Sequence, residues 1–224
     1  MTGLKLLFSR YFSHKRILLG VSAFFLLMMA AVMLFHVDPG GDPADFIMCK
    51  FSALMLMLMA VCLPVIFMVQ DTIGNRFMRS VPCAKELYTR GIPLFSMLVP
   101  LGWGVLSNAV YAAFILLTGR DVSNISDMLV MTALFGGLFA LGSCIVMCIR
   151  FGAAFFMVFY APFFLVMITV SSSASEYGYG LPLWTSALIC FGSFLAAFVI
   201  GFIISTIAYK KGNFRETPAA RASV

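Results

Sequence analysis

The sequence predicts an all-α integral membrane protein with six transmembrane helices, an N-terminal interfacial helix and both termini cytoplasmic. Three observations carry the prediction. The 224 residues are 62% hydrophobic and only 11% charged, whereas a soluble domain carries about a quarter charged residues. Six apolar stretches reach the roughly 20 residues that cross the hydrocarbon core as a helix. The basic residues gather in alternate loops, the asymmetry that orients membrane proteins. One membrane domain accounts for the length.

The first element is residues 1–16, an N-terminal amphipathic helix. Leu4, Leu7, Phe8, Tyr11 and Phe12 recur at helical spacing, while Lys5, Arg10 and His14 fall elsewhere. That pattern describes a helix lying in the membrane interface. The six-helix transmembrane domain then occupies residues 17–209. Its first span, Ile17–Phe35, has too long an apolar core for a signal peptide and no small-residue cleavage site after it, so it is expected to be retained. The second is Phe46–Val69, with Pro64 inside it. The third is Ile92–Thr118, with Pro93 and Pro100, whose missing N–H groups permit kinks. Met128–Ile149 and Phe151–Val170 form the fourth and fifth. One helix running through both would far overshoot a bilayer, so a tight turn is expected at Arg150-Phe151-Gly152. Leu181–Tyr209 is the sixth, and residues 210–224 form the tail.

Charge sets the orientation. Lys5, Arg10, Lys15 and Arg16 precede the first span; Arg76, Arg79, Lys85 and Arg90 lie between the second and third. Arg150 follows the fourth, and Lys210, Lys211, Arg215 and Arg221 lie in the tail. Thirteen of the fifteen basic residues therefore share one side, the cytoplasmic one. The opposite loops hold Asp38, Asp42, Asp45, Asp121, Asp127 and Glu176 against Arg120 alone. Lys50, one turn inside the second span, can snorkel outward.

Catalytic constellations are missing from this sequence. Both histidines, His14 and His36, sit at membrane edges, and no acid lies inside a span. No glycine-rich loop ends in Lys-Ser or Lys-Thr, so the chain is not expected to hydrolyse ATP. It is read as a non-enzyme without catalytic, cofactor-binding or metal-binding residues. Five of the six cysteines lie in apolar runs, where Cys serves as a small hydrophobe; Cys144 and Cys148 share a face with no histidine or carboxylate beside them. The net charge of +6 follows topology, and nothing points to nucleic acid. Asn108 is the most interior strong hydrogen-bonder, read as an interhelical bond or a contact on a cargo pathway. Three small-xxx-small pairs, Gly136/Ala140, Gly192/Ala196 and Ala197/Gly201, mark places where helices can approach.

Residues 71–90 interrupt the apolar pattern. Ser80 is placed as a helix cap with Pro82 in the first turn. Glu86 and Arg90 stand four apart for a weak pair, and Ala84, Leu87 and Tyr88 form a small apolar stripe. This describes a short amphipathic helix at the cytoplasmic face, either a docking element or a helix resting on lipid headgroups. Six spans, an N-terminal interfacial helix and "MRSVP" followed by a short helix ending at Arg90 resemble the membrane subunit of an ABC-2-type (type V) ABC exporter. Gln70-Asp71 departs from the glutamate that members often carry where the second span leaves the membrane.

The resemblance implies that residues 71–90 are a coupling segment receiving the motion of a separate cytoplasmic ABC ATPase. ATP and Mg would be held by that partner. Arg76, Arg79, Pro82, Lys85, Leu87, Tyr88, Arg90 and, through a smaller contact, Arg150 would carry the coupling. Arg76, Arg79 and Arg90 are expected to meet acidic surface, with Leu87 and Tyr88 in a groove of the partner. "SSSASEYGYGLPLW" would be the extracellular element before the last span. The resemblance further implies a second permease subunit, in a homo- or heterodimer, and a multi-pass protein of the bacterial plasma membrane. The cargo would be amphipathic or hydrophobic: a peptide, an antimicrobial or a lipid-like molecule. A small-solute binding subunit or secondary carrier, and a non-transporting membrane immunity or scaffold protein, are the alternatives.

Overall fold

The computed structural model describes residues 2–13, 64–69, 76–118, 123–145 and 180–211, with Thr72 and isolated positions between 16 and 31. Most of the first, second and fifth expected spans lies outside the described residues, as do Arg150 and the tail beyond Lys211. Among the described residues there is no strand. The elements are α1 (Thr2–Ser13), α2 (Arg76–Ser80), α3 (Ala84–Glu86), a π turn (Leu87–Gly91), α4 (Ile92–Thr118), α5 (Ser123–Ile145) and α6 (Leu183–Lys211).

Three helices are long and apolar enough to cross a membrane: Ala84–Leu117, which runs unbroken from α3 into α4, then Ile125–Ile145 and Leu183–Lys211. Mean hydropathy rises along the chain through these three, from 1.5 to 2.0 to 2.6. At 1.5 Å per residue, the 23 residues of α5 extend about 34 Å, enough for the hydrocarbon core of about 30 Å. The described residues are thus all-α, with helices long and apolar enough to cross a membrane.

Side-chain bonds fix how the three pack. At one end Ser126 Oγ of α5 donates to the Leu181 carbonyl (2.6 Å) and meets Ser186 Oγ of α6 (2.8 Å). Midway, Asn108 of α4 donates to Thr132 Oγ1 (2.7 Å), and Ser193 of α6 donates to the Ala133 carbonyl (3.1 Å). At the other end Gly201 of α6 faces Cys144 of α5 and Pro93 of α4. Hence α4 is antiparallel to α5 and α6, which run parallel to each other. Ile145 and Leu183 therefore lie at opposite ends of the bundle.

The close approaches occur at glycine. A Cβ on Gly136 would stand 2.3 Å from Phe194 Cζ, and one on Gly201 would stand 2.7 Å from Cys144 Sγ. Ala140 and Ala197 are buried on the same seams, so two of the three small-residue pairs mark helix contacts. Gly192 has open space beside it and Ala196 is exposed, so the third pair faces outward.

Two boundaries differ from the sequence prediction. Asp127, expected in an outward loop, lies within α5 and is buried. The helix starts ahead of the apolar stretch, where Ser126 bonds across to the Leu181 carbonyl and Ser186. α6 starts after Pro182, whose carbonyl accepts from Ser186 N (3.1 Å) and Thr185 Oγ1 (2.6 Å). Gly180, at φ +55°, makes the turn that leads in. Trp184 is exposed at this end, where an interfacial aromatic belt would place it.

Candidate functional site

The basic segment folds as two short helical pieces joined by the turn Val81-Pro82-Cys83. Ser80 ends α2 and does not cap the next helix. That helix begins after Cys83, which makes no side-chain cap bond; Ala84 N instead donates to the Val81 carbonyl at 2.9 Å. The chain then widens into the π turn, where Ile92 N–H donates to the Leu87 carbonyl five residues back. Pro93 explains the widening. It has no N–H for the Thr89 carbonyl, and its ring would crowd that carbonyl in an α-helix. The prolines expected to kink the third span therefore act partly at its entrance, with Pro100 inside α4.

Leu87 and Tyr88 require a correction. Placed by the sequence in a partner's groove, they are both 0% exposed and form the centre of a core within this chain. Leu7, Tyr11, Val65, Val69, Ile92 and Phe95 surround them. The Tyr88 hydroxyl donates to the Thr72 carbonyl (2.9 Å), its ring lies 5.9 Å from that of Tyr209, and Arg79 is its charged neighbour. Gly3 makes this burial possible: a Cβ there would stand 3.0 Å from Leu87 Cβ.

α1 also sits differently from the expectation. Its apolar stripe is present, but most of it is turned onto the protein. Leu7 and Tyr11 are buried, Leu4 and Phe8 are partly buried, and Phe12 alone remains 50% exposed. Phe8 and Tyr11 meet Phe95 edge-on at 5.2 and 5.7 Å, and Trp103 Nε1 donates to the Tyr11 hydroxyl (3.1 Å). From Gly3 at Leu87 to Tyr11 at Trp103 the contacts advance together along both helices, so α1 runs alongside the first half of α4.

What the segment shows to its surroundings is polar. Pro82, Lys85, Glu86 and Arg90 are exposed, and Cys83 and Thr89 are half-buried. With Phe202 and Thr206 of α6 they line an open groove of about 430 Å³. Lys210 lies one turn beyond Thr206 on the same face, and Phe198 one turn before Phe202, their rings 6.3 Å apart. Thr206, Phe202, Thr72 and Trp103 were not singled out in the sequence. The four-residue spacing of Phe198, Phe202, Thr206 and Lys210 was the available signal for two of them.

The remaining expected site residues divide. Arg76 opens α2, and Arg79 is half-buried against the Tyr88 core. Arg150 lies outside the described residues. Asn108 stands far from the segment, 7% exposed, donating to the Gly104 carbonyl (2.8 Å) and to Thr132. The Gly104 carbonyl can only accept, which fixes the amide orientation and leaves Asn108 Oδ1 a buried acceptor with no partner among the described residues. One end of the bundle thus collects α1, the basic segment and the basic end of α6 around one core. No protein family, curated protein or solved structure matches the chain.

Proposed function

We propose that this chain is the transmembrane subunit of an ATP-driven ABC exporter, moving an amphipathic or hydrophobic cargo with energy from a separately encoded cytoplasmic ATPase. The observation that carries the reading is the buried core around Leu87 and Tyr88. It fastens an exposed basic turn to α1, α4 and α6 together, so a push on that turn is delivered to several helices rather than absorbed by a loose loop. A lipid-resting loop needs no such anchorage. In this reading Pro82, Lys85 and Arg90 face the ATPase, Arg79 sits behind them, and Leu87 and Tyr88 transmit from within.

The packing also supports six spans with both ends on one side. The start of α1, at Gly3, and the segment share the basic end, which calls for an even number of crossings between residues 3 and 76. α5 and α6 are parallel, which calls for an odd number between 145 and 183. One more crossing in each of α4, α5 and α6 gives six if the undescribed stretches cross twice and once. A second copy or a related permease would complete the transporter.

The test is co-expression with a candidate cytoplasmic ABC ATPase. Lys85→Glu should abolish co-purification of that ATPase while leaving the purified chain's thermal stability unchanged. Undiminished recovery and full stimulated turnover would overturn the coupling role.

A further inference from the structure

We infer that the groove between the basic segment and α6 seats the phosphate headgroup of an anionic phospholipid, with its acyl chains lying along α6. The groove has two kinds of wall. Lys85 and Arg90 bring exposed cationic ends from one side, and Phe202 and Thr206 of α6 form the other. Its volume of about 430 Å³ is at the small end of ligand sites, suited to a headgroup rather than a folded segment.

The stripe on α6 gives the occupant its shape. Phe198, Phe202, Thr206 and Lys210 follow one another at single-turn steps, two aromatic rings, then a hydroxyl, then a base. Beside them Val199, Ile203 and Ile207 are exposed, continuing an apolar strip toward the middle of the helix. An amphiphile with its charge at the basic end and its chains toward the bilayer centre matches that order residue by residue. An acidic peptide or a free phosphate would use the bases but leave the apolar strip uncovered.

The sign of the charge is set by the count around the mouth. Lys85 and Arg90 line it against Glu86, and Lys210 lies one turn past Thr206 on α6, so an anionic headgroup is favoured over a zwitterionic one. Basic pockets between membrane helices take phosphate-bearing lipids for the same reason. A lipid held here would tie Arg90 to α6 and set the height of the segment at the membrane surface. Pro82 and Lys85 line the same groove, so a seated lipid also meets that turn. The inference does not depend on the exporter reading.

The test uses the full chain in detergent micelles carrying equal phosphatidylglycerol and phosphatidylcholine, with retained lipid read by native mass spectrometry. The wild type should hold phosphatidylglycerol preferentially. Arg90→Gln with Lys210→Gln should cut that preference about 30-fold, since each base near an anionic lipid contributes about fivefold. Lys5→Gln with Arg10→Gln removes two other exposed bases and should leave it unchanged. Arg90→Lys with Lys210→Arg keeps the charge and should retain the lipid, which separates charge from folding. The proposal is overturned if the Gln pair retains phosphatidylglycerol as the wild type does. It is equally overturned if the Lys5/Arg10 pair loses as much, if the charge-keeping pair loses it, or if millimolar inorganic phosphate displaces the lipid.

Discussion

Tyr88 does two things at once: it fills a core and satisfies a backbone carbonyl. Tyr88→Phe would keep the packing but leave the Thr72 carbonyl without its donor. A buried acceptor left unsatisfied costs about 1–3 kcal/mol, so the variant should unfold earlier in a thermal melt without any partner present. Leu87→Ala should cost about 2–5 kcal/mol, the usual loss for truncating a buried leucine. A surface anchor would show neither effect in the isolated chain. Asn108 gives the opposite expectation. In Asn108→Leu the orphaned Oδ1 disappears, Thr132 Oγ1 still donates to the Met128 carbonyl, and no donor is stranded. Stability should change by less than about 1 kcal/mol. Transport lost without loss of stability would then mark Asn108 as a cargo contact, measured by comparing melting with uptake or efflux in vesicles.

At the scale of elements, the seam between α5 and α6 depends on Gly201. Gly201→Ala would drive a methyl against Cys144 Sγ and Cβ and close to Pro93, an overpacking that costs about 1–3 kcal/mol. Cys144→Ala removes the sulfur and should recover part of that loss in the double variant. Additive costs in the double-mutant cycle would mean the two helices do not meet there. The helices themselves were legible because apolar length and the smallness of Ala197 and Gly201 are local properties of the chain. The stripe on α1 was legible too, yet not what covers it, because periodicity states which face is apolar and not whether lipid or protein meets it. Here Gly3 lets α1 approach the segment, and that decision lies in the pairing of residues far apart in sequence. The same limit hid the burial of Leu87 and Tyr88. A short amphipathic stripe between two spans looks alike whether it faces a partner or its own bundle. Ser80 misled because a serine before a proline suits a helix start, whereas Pro93 governs the local geometry from the other side.

At the scale of the whole molecule, the common end of α1, the basic segment and α6 is rich in bases, and in the proposed topology it is the cytoplasmic end. Single cysteines introduced as Asp42→Cys and Lys85→Cys in a cysteine-free background should react with impermeant reagent from opposite sides of intact cells. Outside labelling of Lys85→Cys would invert the topology. The seating of α1 also bears on how the chain is made. Its covering residues, Leu87 to Trp103, are synthesised some ninety positions later. At 5–20 residues per second that is a wait on the order of 10 s. During it the nascent helix has no protein to lie against and must rest on lipid or on the insertion machinery. The amphipathic stripe therefore has two successive hosts, a temporary one during biogenesis and its own α4 afterwards. A nascent chain stalled before residue 87 should leave α1 open to protease or lipid photolabel, and one extended past residue 118 should close it.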